Sequence, residues 1–484
     1  MFRSRILLAT ALGSTLAACT VGPNYKPATP AELGVPGGYS VNTPERTPDD
    51  ITHWWGNFDD PMLAQLVEQS QTTNLDIAQA VARLKQAHEA LIQSRAQLLP
   101  QVTGSAGYNK SFDVTGASTV TLPDGTITTI SRGSGQSFSL GADVSYQVGL
   151  FGEVRRTVEA SKAQYESSGY DYATVLLSTE SEVARNYVLA RLYQAQLANA
   201  NDSLKIQDDN LQIAGWRVQA GLVSSVDQEQ ARAARAQTAA GIPTIEQNYN
   251  AAVSRLGVLT GQAPGALKDQ LEAVKPIPKG PADVATGIPA DTLRQRPDVR
   301  AAERNLASAT AQIGVAKAAL YPALAISGNL NTDAASIGNI FSIITGSLFA
   351  GLTQAIFNGG RLHAQVRSNE AAAEGAFAAY KSTVLSGLED VENAVVALDA
   401  AKQRAADYAV AYDAANNSAL LARLQYRTGL TDFTTLNTAE SSLLSARNGV
   451  SQAQADQAEA LIQLYLALGG GWDSTQVPQA PQDH

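Results

Sequence analysis

The chain has 484 residues, 44% of them hydrophobic, and a formal net charge of −10 at pH 7. An acidic chain of this kind lacks the basic surface that binds nucleic acid, so no nucleic-acid partner is predicted. It has one cysteine and four histidines that lie far apart in the sequence, and no GxSxG, P-loop or HExxH motif occurs. An enzyme and a metal site are therefore not predicted.

The N-terminus has the composition of a bacterial targeting segment. Arg3 and Arg5 precede a run of 13 apolar and small residues, 6–18, which is shorter than the about 20 residues that a membrane-spanning helix needs. The sequence LAAC at positions 16–19 resembles a lipobox, at which the signal peptide is removed and the cysteine is acylated. We therefore predict a signal peptide over 1–18 and lipidation of Cys19, and Thr20 in the next position favours the outer membrane. The alternative is an ordinary signal peptide that ends near a buried cysteine.

Two segments in the first half alternate between apolar and polar residues. Over residues 137–148 the apolar side chains fall on every second position, from Phe138 to Val148, and residues 101–112 follow the same pattern. Strands that cross a bilayer need about 9–11 residues with one apolar face, so both segments are long enough. A half-buried sheet of a soluble protein alternates in the same way, and the pattern does not decide between them. The turn sequence LPDGT lies between the two segments.

Long stretches without proline, rich in alanine, glutamine and leucine, predict very long helices. A proline inside a helix costs about 3 kcal/mol, and none occurs between Pro123 and Pro243 or between Pro322 and Pro478. We predict helical hairpins that pair residues 153–220 with 224–259 and residues 359–428 with 432–468. The longer helix of each pair should extend roughly 100 Å at about 1.5 Å per residue.

The two halves of the chain are copies of one plan. Gly221 matches Gly429 at an offset of 208 residues, and Gly261 matches Gly469 at the same offset. Chance similarity between alanine-rich helices is the alternative. The predicted organisation is a signal peptide (1–18), a lipidated extended segment (19–60), a first repeat (61–261), a proline-rich equatorial connector (262–297), a second repeat (298–469) and a C-terminal tail (470–484).

The second copy is expected to contribute two further strands, over about residues 323–332 and 343–357. Four strands cannot close into a barrel, and an open sheet edge is not viable in lipid. If these strands cross a membrane, several chains must therefore pool them. Two chains would give eight strands and three would give twelve, and the spacing does not choose between them.

Several motifs resemble those of the outer-membrane factors of tripartite efflux systems, the TolC-like proteins, and in particular the NodT group of lipoproteins. They are VGPNYKPA, HWWGNFDDPMLAQLV, LFGEVRR, RPDVRAAERNLASATAQIGVAKAALYP and IFNGG, and the resemblance runs from Cys19 to about Trp472. It implies a mixed α/β membrane protein, a homotrimer whose twelve strands form one transmembrane β-barrel, continuous with a long periplasmic α-helical barrel. The implied location is the outer membrane, lipid-anchored, with a large periplasmic portion.

The resemblance also implies a function and partners. The function is a passive exit duct for small molecules delivered by a periplasmic adaptor protein and an inner-membrane transporter, usually a proton-driven one of the resistance-nodulation-division type. No cofactor is implied. The competing reading is a structural periplasmic coiled-coil lipoprotein without a channel.

The two hairpin tips are the candidate docking sites. Gly221-Leu222 and Gly429-Leu430 fit left-handed turns that close a helical hairpin, which glycine adopts without steric cost. The resemblance adds that both tips bind the adaptor.

Asp432, just after the second tip, is the candidate periplasmic gate residue. Three copies around an axis would repel one another and attract cations, whereas the alternative is a solvated loop acid. Arg423 and Arg427 are candidate partners for it, within or between chains, although both could equally face outward. Relatives commonly carry an aspartate where this chain has Thr438, which weakens the gate assignment.

Overall fold

The computed structural model describes residues 20–41, 51–112, 118–130, 135–281 and 283–473. The predicted signal peptide and Cys19 lie outside the described residues. The helices are α1 Pro30–Leu33, α2 Pro61–Thr73, α3 Leu75–Ala96, α4 Glu153–Gln219, α5 Ser225–Leu259, α6 Lys268–Leu271, α7 Pro289–Gln295, α8 Pro297–Ala318, α9 Arg361–Thr428 and α10 Phe433–Ala467. The strands are β1 Gln101–Ser111, β2 Ser118–Thr121, β3 Ile127–Ile130, β4 Gly135–Val148, β5 Ala323–Ala334 and β6 Ile344–Thr353. Short 3-10 turns cover Trp54–Phe58 and Ile337–Asn339.

Four antiparallel strands form one sheet in the order β1-β4-β5-β6. The register aligns apolar side chains across it: Val144 of β4 lies beside Val102 of β1 and Gly328 of β5, and Gly328 lies beside Leu348 of β6. The residues between them in sequence form a polar row, in which Asp143 has polar neighbours on both sides. Because side chains alternate along a strand, the sheet has one apolar and one polar face, as the periodicity predicted.

The sheet differs from the sequence prediction in two places. The segment around LPDGT forms a second, two-stranded sheet, β2 with β3, closed by a turn in which the Thr126 backbone N–H donates to Asp124 Oδ1 at 3.0 Å. Strand β6 ends at Thr353, four residues before the predicted end at Phe357, which is exposed. The apolar residues that follow β6 extended the predicted strand, but they lie in the connection to α9.

The chain divides into two compact units. One comprises Met1–Lys26, Ala87–Tyr165 and Asn305–Phe377 and holds the sheet. The other comprises Pro27–Gln86, Glu166–Arg304 and Ala378–His484. The predicted domain boundaries follow the sequence duplication and stay a prediction.

The second unit has the larger apolar core, which the two tryptophans of the HWWGNF motif enter. Trp54 and Trp55 are almost fully buried, and the Trp54 ring stacks on Tyr465 of α10 with centroids 5.5 Å apart. Tyr187 of α4 lies in the same core and donates its hydroxyl to Asp60 at 2.7 Å. The motif therefore packs the N-terminal segment against the long helices.

Among the described residues, no helix is both long enough and apolar enough to cross a membrane.

Candidate functional site

The first hairpin tip, between α4 and α5, is closed by a Schellman motif. The Leu222 backbone N–H donates to the Arg217 carbonyl at 2.8 Å, and the Gly221 N–H donates to the Val218 carbonyl at 3.0 Å. Gly221 has a φ of 65°, the left-handed conformation that this helix end needs. Ser224 then caps α5 by accepting a hydrogen bond from a backbone N–H.

The second tip, between α9 and α10, repeats the same geometry. The Leu430 N–H donates to the Gln425 carbonyl at 2.8 Å, and the Gly429 N–H donates to the Tyr426 carbonyl at 3.1 Å. Gly429 has a φ of 78°. The duplicated Gly-Leu sequence thus specifies the same turn twice.

Each tip presents one leucine to solvent. Leu222 is 70% exposed and Leu430 is 79% exposed. A branched apolar side chain exposed at the apex of a hairpin contributes little to the packing of its own chain, whereas a partner can bury it. This exposure supports the docking hypothesis for Gly221, Leu222, Gly429 and Leu430, which stays a proposal.

Asp432 has a local structural role that the sequence analysis missed. It is exposed and is the N-cap of α10, accepting a hydrogen bond from the Thr435 backbone N–H at 2.8 Å. That hydrogen bond lowers the pKa of Asp432, because it stabilises the charged form. An acidic residue three positions before the bonded N–H is a common N-cap arrangement and was visible in the sequence TDFTT.

Within the chain, Arg423 does not pair with Asp432. Its guanidinium forms a bidentate pair with Glu440 of α10, through Nη2 to Oε2 at 2.7 Å and through Nε to Oε1. Glu440 is only 4% exposed, so the arginine compensates a buried carboxylate. Arg427 is exposed, and its proposed relation to Asp432 stays a prediction.

Arg217 joins the two hairpins close to their tips, which the sequence did not predict. Its Nη1 donates to the Tyr426 carbonyl at 3.0 Å, and its guanidinium lies 4.6 Å from the centroid of the Tyr426 ring. Around this contact, small residues of all four helices are buried together, among them Ala214, Ala231 and Ala419. The tips are therefore one packed structure.

A buried carboxyl group lies elsewhere in the same unit, on α4. Glu180 Oε1 accepts a hydrogen bond from Gln71 Nε2 at 2.8 Å, while Oε2 is buried and has no hydrogen-bond partner in the described part of the chain. The Trp54 indole N–H faces the carboxyl group but does not reach hydrogen-bond geometry. Burial raises the pKa of Glu180 to about 8.

The RPDVRAAE segment folds into a tight ionic cluster. Buried Arg296 donates to Asp298 at 2.7 Å, to Asp390 of α9 at 3.0 Å, and to the Ala467 carbonyl at the end of α10 at 2.9 Å. This motif thus ties α8, α9 and α10 together. Over the described residues, no group of three or more His, Cys, Asp or Glu is placed to hold a metal ion.

Comparison with known proteins gives matches along almost the whole chain. The profile of the family described as outer membrane efflux protein matches residues 66–262 and 288–470. Nodulation protein T from Rhizobium leguminosarum bv. trifolii is 30% identical over 464 residues, which covers 95% of this chain and 96% of that protein. Pyoverdine export outer membrane protein OpmQ from Pseudomonas aeruginosa is 30% identical over 440 residues, covering 90% of each chain. The solved structure of the outer-membrane channel OprN is similar with a TM-score of 0.83 at 31% identity, covering 94% of this chain and 100% of that one.

Proposed function

The chain belongs to the outer membrane efflux protein family, and we propose that three copies of it form the exit duct of a tripartite efflux pump. The resemblance found in the sequence is confirmed. The fold class is confirmed as well, since the structural neighbours are trimeric channels that combine a helical barrel with a β domain. The protein is located in the outer membrane, with a large periplasmic portion.

The observation that carries the proposal is a four-stranded sheet with one apolar face and two open edges. Strands β1 and β6 each pair on one side only among the described residues, and exposed Leu330 and Leu348 lie on the apolar face. Aromatic pairs occur towards both ends of the strands, Tyr108 with Phe138 and Phe151 with Tyr321. Aromatic side chains of this kind flank the apolar band of outer-membrane barrels. Pairing of β6 of one chain with β1 of the next gives hydrogen-bond partners to the edge backbone N–H and C=O groups, which lipid cannot provide.

The partners follow from the family. Its members work as the outer-membrane components of pumps, with a periplasmic adaptor and an inner-membrane transporter. The transporter that we propose is of the resistance-nodulation-division type, as the NodT-group resemblance implies. The substrates are small molecules that the transporter selects and the duct passes on. Relatives whose names refer to nodulation and to pyoverdine export are consistent with a duct that serves different cargoes.

The individual sites complete the proposal. Cys19 carries the lipid anchor, the Gly-Leu tips bind the adaptor, and Asp432 lines the periplasmic gate. What supports the tips is the pair of exposed leucines on rigid turns. What supports Asp432 is its exposed carboxylate beside the second turn, whose pKa is lowered by its own capping hydrogen bond.

The test is to purify the full chain from outer membranes and to record it in planar bilayers. We expect a heat-sensitive trimer on gels, and single-channel currents that appear only with the trimer. A monomer that leaves the membrane when its lipid is removed and that conducts no ions would contradict the proposal. That result would favour the structural lipoprotein instead.

A further inference from the structure

The first described residues of the chain lie in a slot beside the start of α4. The Val21 backbone N–H donates to the Phe151 carbonyl at 3.2 Å. Arg156, which is 4% exposed, reaches this strap, residues 20–24, with three hydrogen bonds. Its Nε donates to the Val21 carbonyl at 3.3 Å, and its Nη2 donates to the Gly22 carbonyl at 3.4 Å and to Asn24 Oδ1 at 2.7 Å.

The slot is built around a glycine of α8. A Cβ atom on Gly314 would lie 2.8–2.9 Å from Cγ, Cδ and Nε of Arg156, closer than real contacts allow. A Cβ atom on Gly22 would lie 2.5 Å from the Gly314 Cα atom. The arginine and the strap therefore both need the space that Gly314 leaves. Glu159, one turn later on α4, accepts from Arg156 Nη1 at 2.7 Å and balances its charge.

The chemistry of Arg156 is directed at the strap and contributes little to its own helix. Three of its four hydrogen bonds go to strap atoms that are 132–135 residues away in sequence, and the fourth goes to Glu159. A planar guanidinium can serve several acceptors at fixed angles, whereas a lysine ammonium at the same place would be a single point charge. An arginine buried to hold three acceptors of one segment is a binding group for that segment.

We propose that Arg156 and Gly314 form the seat of the mature N-terminus and hold the lipid-bearing end of the chain at the junction between β4 and α4. The seat immobilises the residue that follows Cys19 next to the point where the strands end, which places the acyl chains beside the barrel. The identity of the anchor rests on the proposed lipidation of Cys19. The seat itself rests only on the contacts of the strap. Arg156 is thus a positioning residue for the anchor.

The test uses the absence of any other thiol in the chain. Val21→Cys, in the full chain in outer-membrane vesicles, provides a half-buried thiol, and release of the strap should make it react faster with a bulky maleimide. Because one hydrogen bond to a charged group shifts such an equilibrium by a factor of about ten or more, Arg156→Ala should speed the reaction at least about tenfold. Gly314→Ala should do the same while the arginine is still present, since it fills the slot.

Matched variants separate this outcome from general damage. Arg367→Ala removes an exposed arginine of α9 and should leave the Val21→Cys rate unchanged. All of these variants should also leave the reaction rate of a control thiol, Gln237→Cys on α5, unchanged. If Arg156→Ala does not assemble, Asn24→Ala, which removes only an exposed acceptor on the strap, is used in its place. Equal Val21→Cys rates in all backgrounds would overturn the seat. If the protein without the Val21→Cys substitution is labelled, Cys19 has a free thiol and the lipidation proposal is overturned. The comparison between variants would still test the seat.

Discussion

Glu180→Gln should change how the stability of the protein depends on pH. The ordinary pKa of this carboxyl group is 4.5, and burial raises it to about 8 in the folded chain. Below pH 4.5 the carboxyl group is protonated in both the folded and the unfolded chain, so the stabilisation that its raised pKa provides is fully present. Between pH 4.5 and 8 only the folded chain holds the proton, and this contribution is lost progressively as the pH rises through 8.

The size of the effect follows from the two pKa values. Each pH unit between them is worth about 1.4 kcal/mol, so the free energy of unfolding should fall by about 5 kcal/mol for each chain between pH 4 and pH 9. Glutamine has the same shape, carries no charge, and can still accept the hydrogen bond from Gln71. The Glu180→Gln chain should therefore lack this loss and should be the more stable form at alkaline pH.

The assay is thermal unfolding of the trimer followed by circular dichroism, at one scan rate and constant ionic strength, from pH 5 to pH 9. The difference in melting temperature between Glu180→Gln and the unsubstituted protein should be small at pH 5 and should grow steadily to about pH 8. Glu182→Gln, two residues further on α4, removes an exposed carboxylate and is the matched control. Parallel curves for Glu180→Gln and the unsubstituted protein would refute the reasoning, because they would mean that the carboxyl group is ionised in the folded core.

Three further predictions concern the membrane, the adaptor and the gate. Leu140→Arg on the apolar face should make the free energy of membrane insertion less favourable by about 2–4 kcal/mol, while Ser139→Arg on the polar face should insert normally. An equal loss of insertion in both variants would contradict a lipid-facing sheet. Leu222→Asp combined with Leu430→Asp should abolish cross-linking to the adaptor and export while trimers persist, and unchanged cross-linking would exclude the tips as the docking site. Asp432→Asn should keep the α10 cap, since asparagine caps well, but should weaken cation selectivity and multivalent-cation block in single-channel recordings; unchanged currents would remove Asp432 from the gate.

The long helices and their turns could be predicted from the sequence because their signals are local. Proline is absent from the four long helices α4, α5, α9 and α10 apart from Pro243 in α5, and the Gly-Leu pairs stand at the turns. The alternation in β1 and β4 gave the two faces of the sheet for the same reason, since a period of two is readable within one strand. The strands β2 and β3 have only four residues each, which is too few for an alternation of apolar and polar residues to be recognised.

The contacts that fix the candidate sites were not predictable in this way. Arg217 reaches Tyr426 across 209 positions, and Arg156 reaches Asn24 across 132. A pairing between distant segments leaves no pattern within either one. Arg423 is a different case, because its partner Glu440 lies only 17 positions away on the neighbouring helix. The nearness of Asp432 in sequence favoured that acid, whereas within the chain Arg423 pairs with Glu440 and Asp432 caps the start of its own helix.

The capping residues of the two tips have a consequence for the assembled protein. The turns are alike in backbone shape, but the acid of the returning helix stands at a different place in each: α10 begins with its N-cap Asp432, whereas α5 begins with neutral Ser224 and carries Asp227 in its first turn. Around a threefold axis, the turn therefore repeats twice in each chain, while the position of the tip acid alternates. A partner that recognises only the turn would find every tip equivalent and could bind in two rotational settings. A partner carrying a cation at the radius of one of these acids would distinguish alternate tips, so the duplicated chain encodes a rotational phase by the position of one carboxylate.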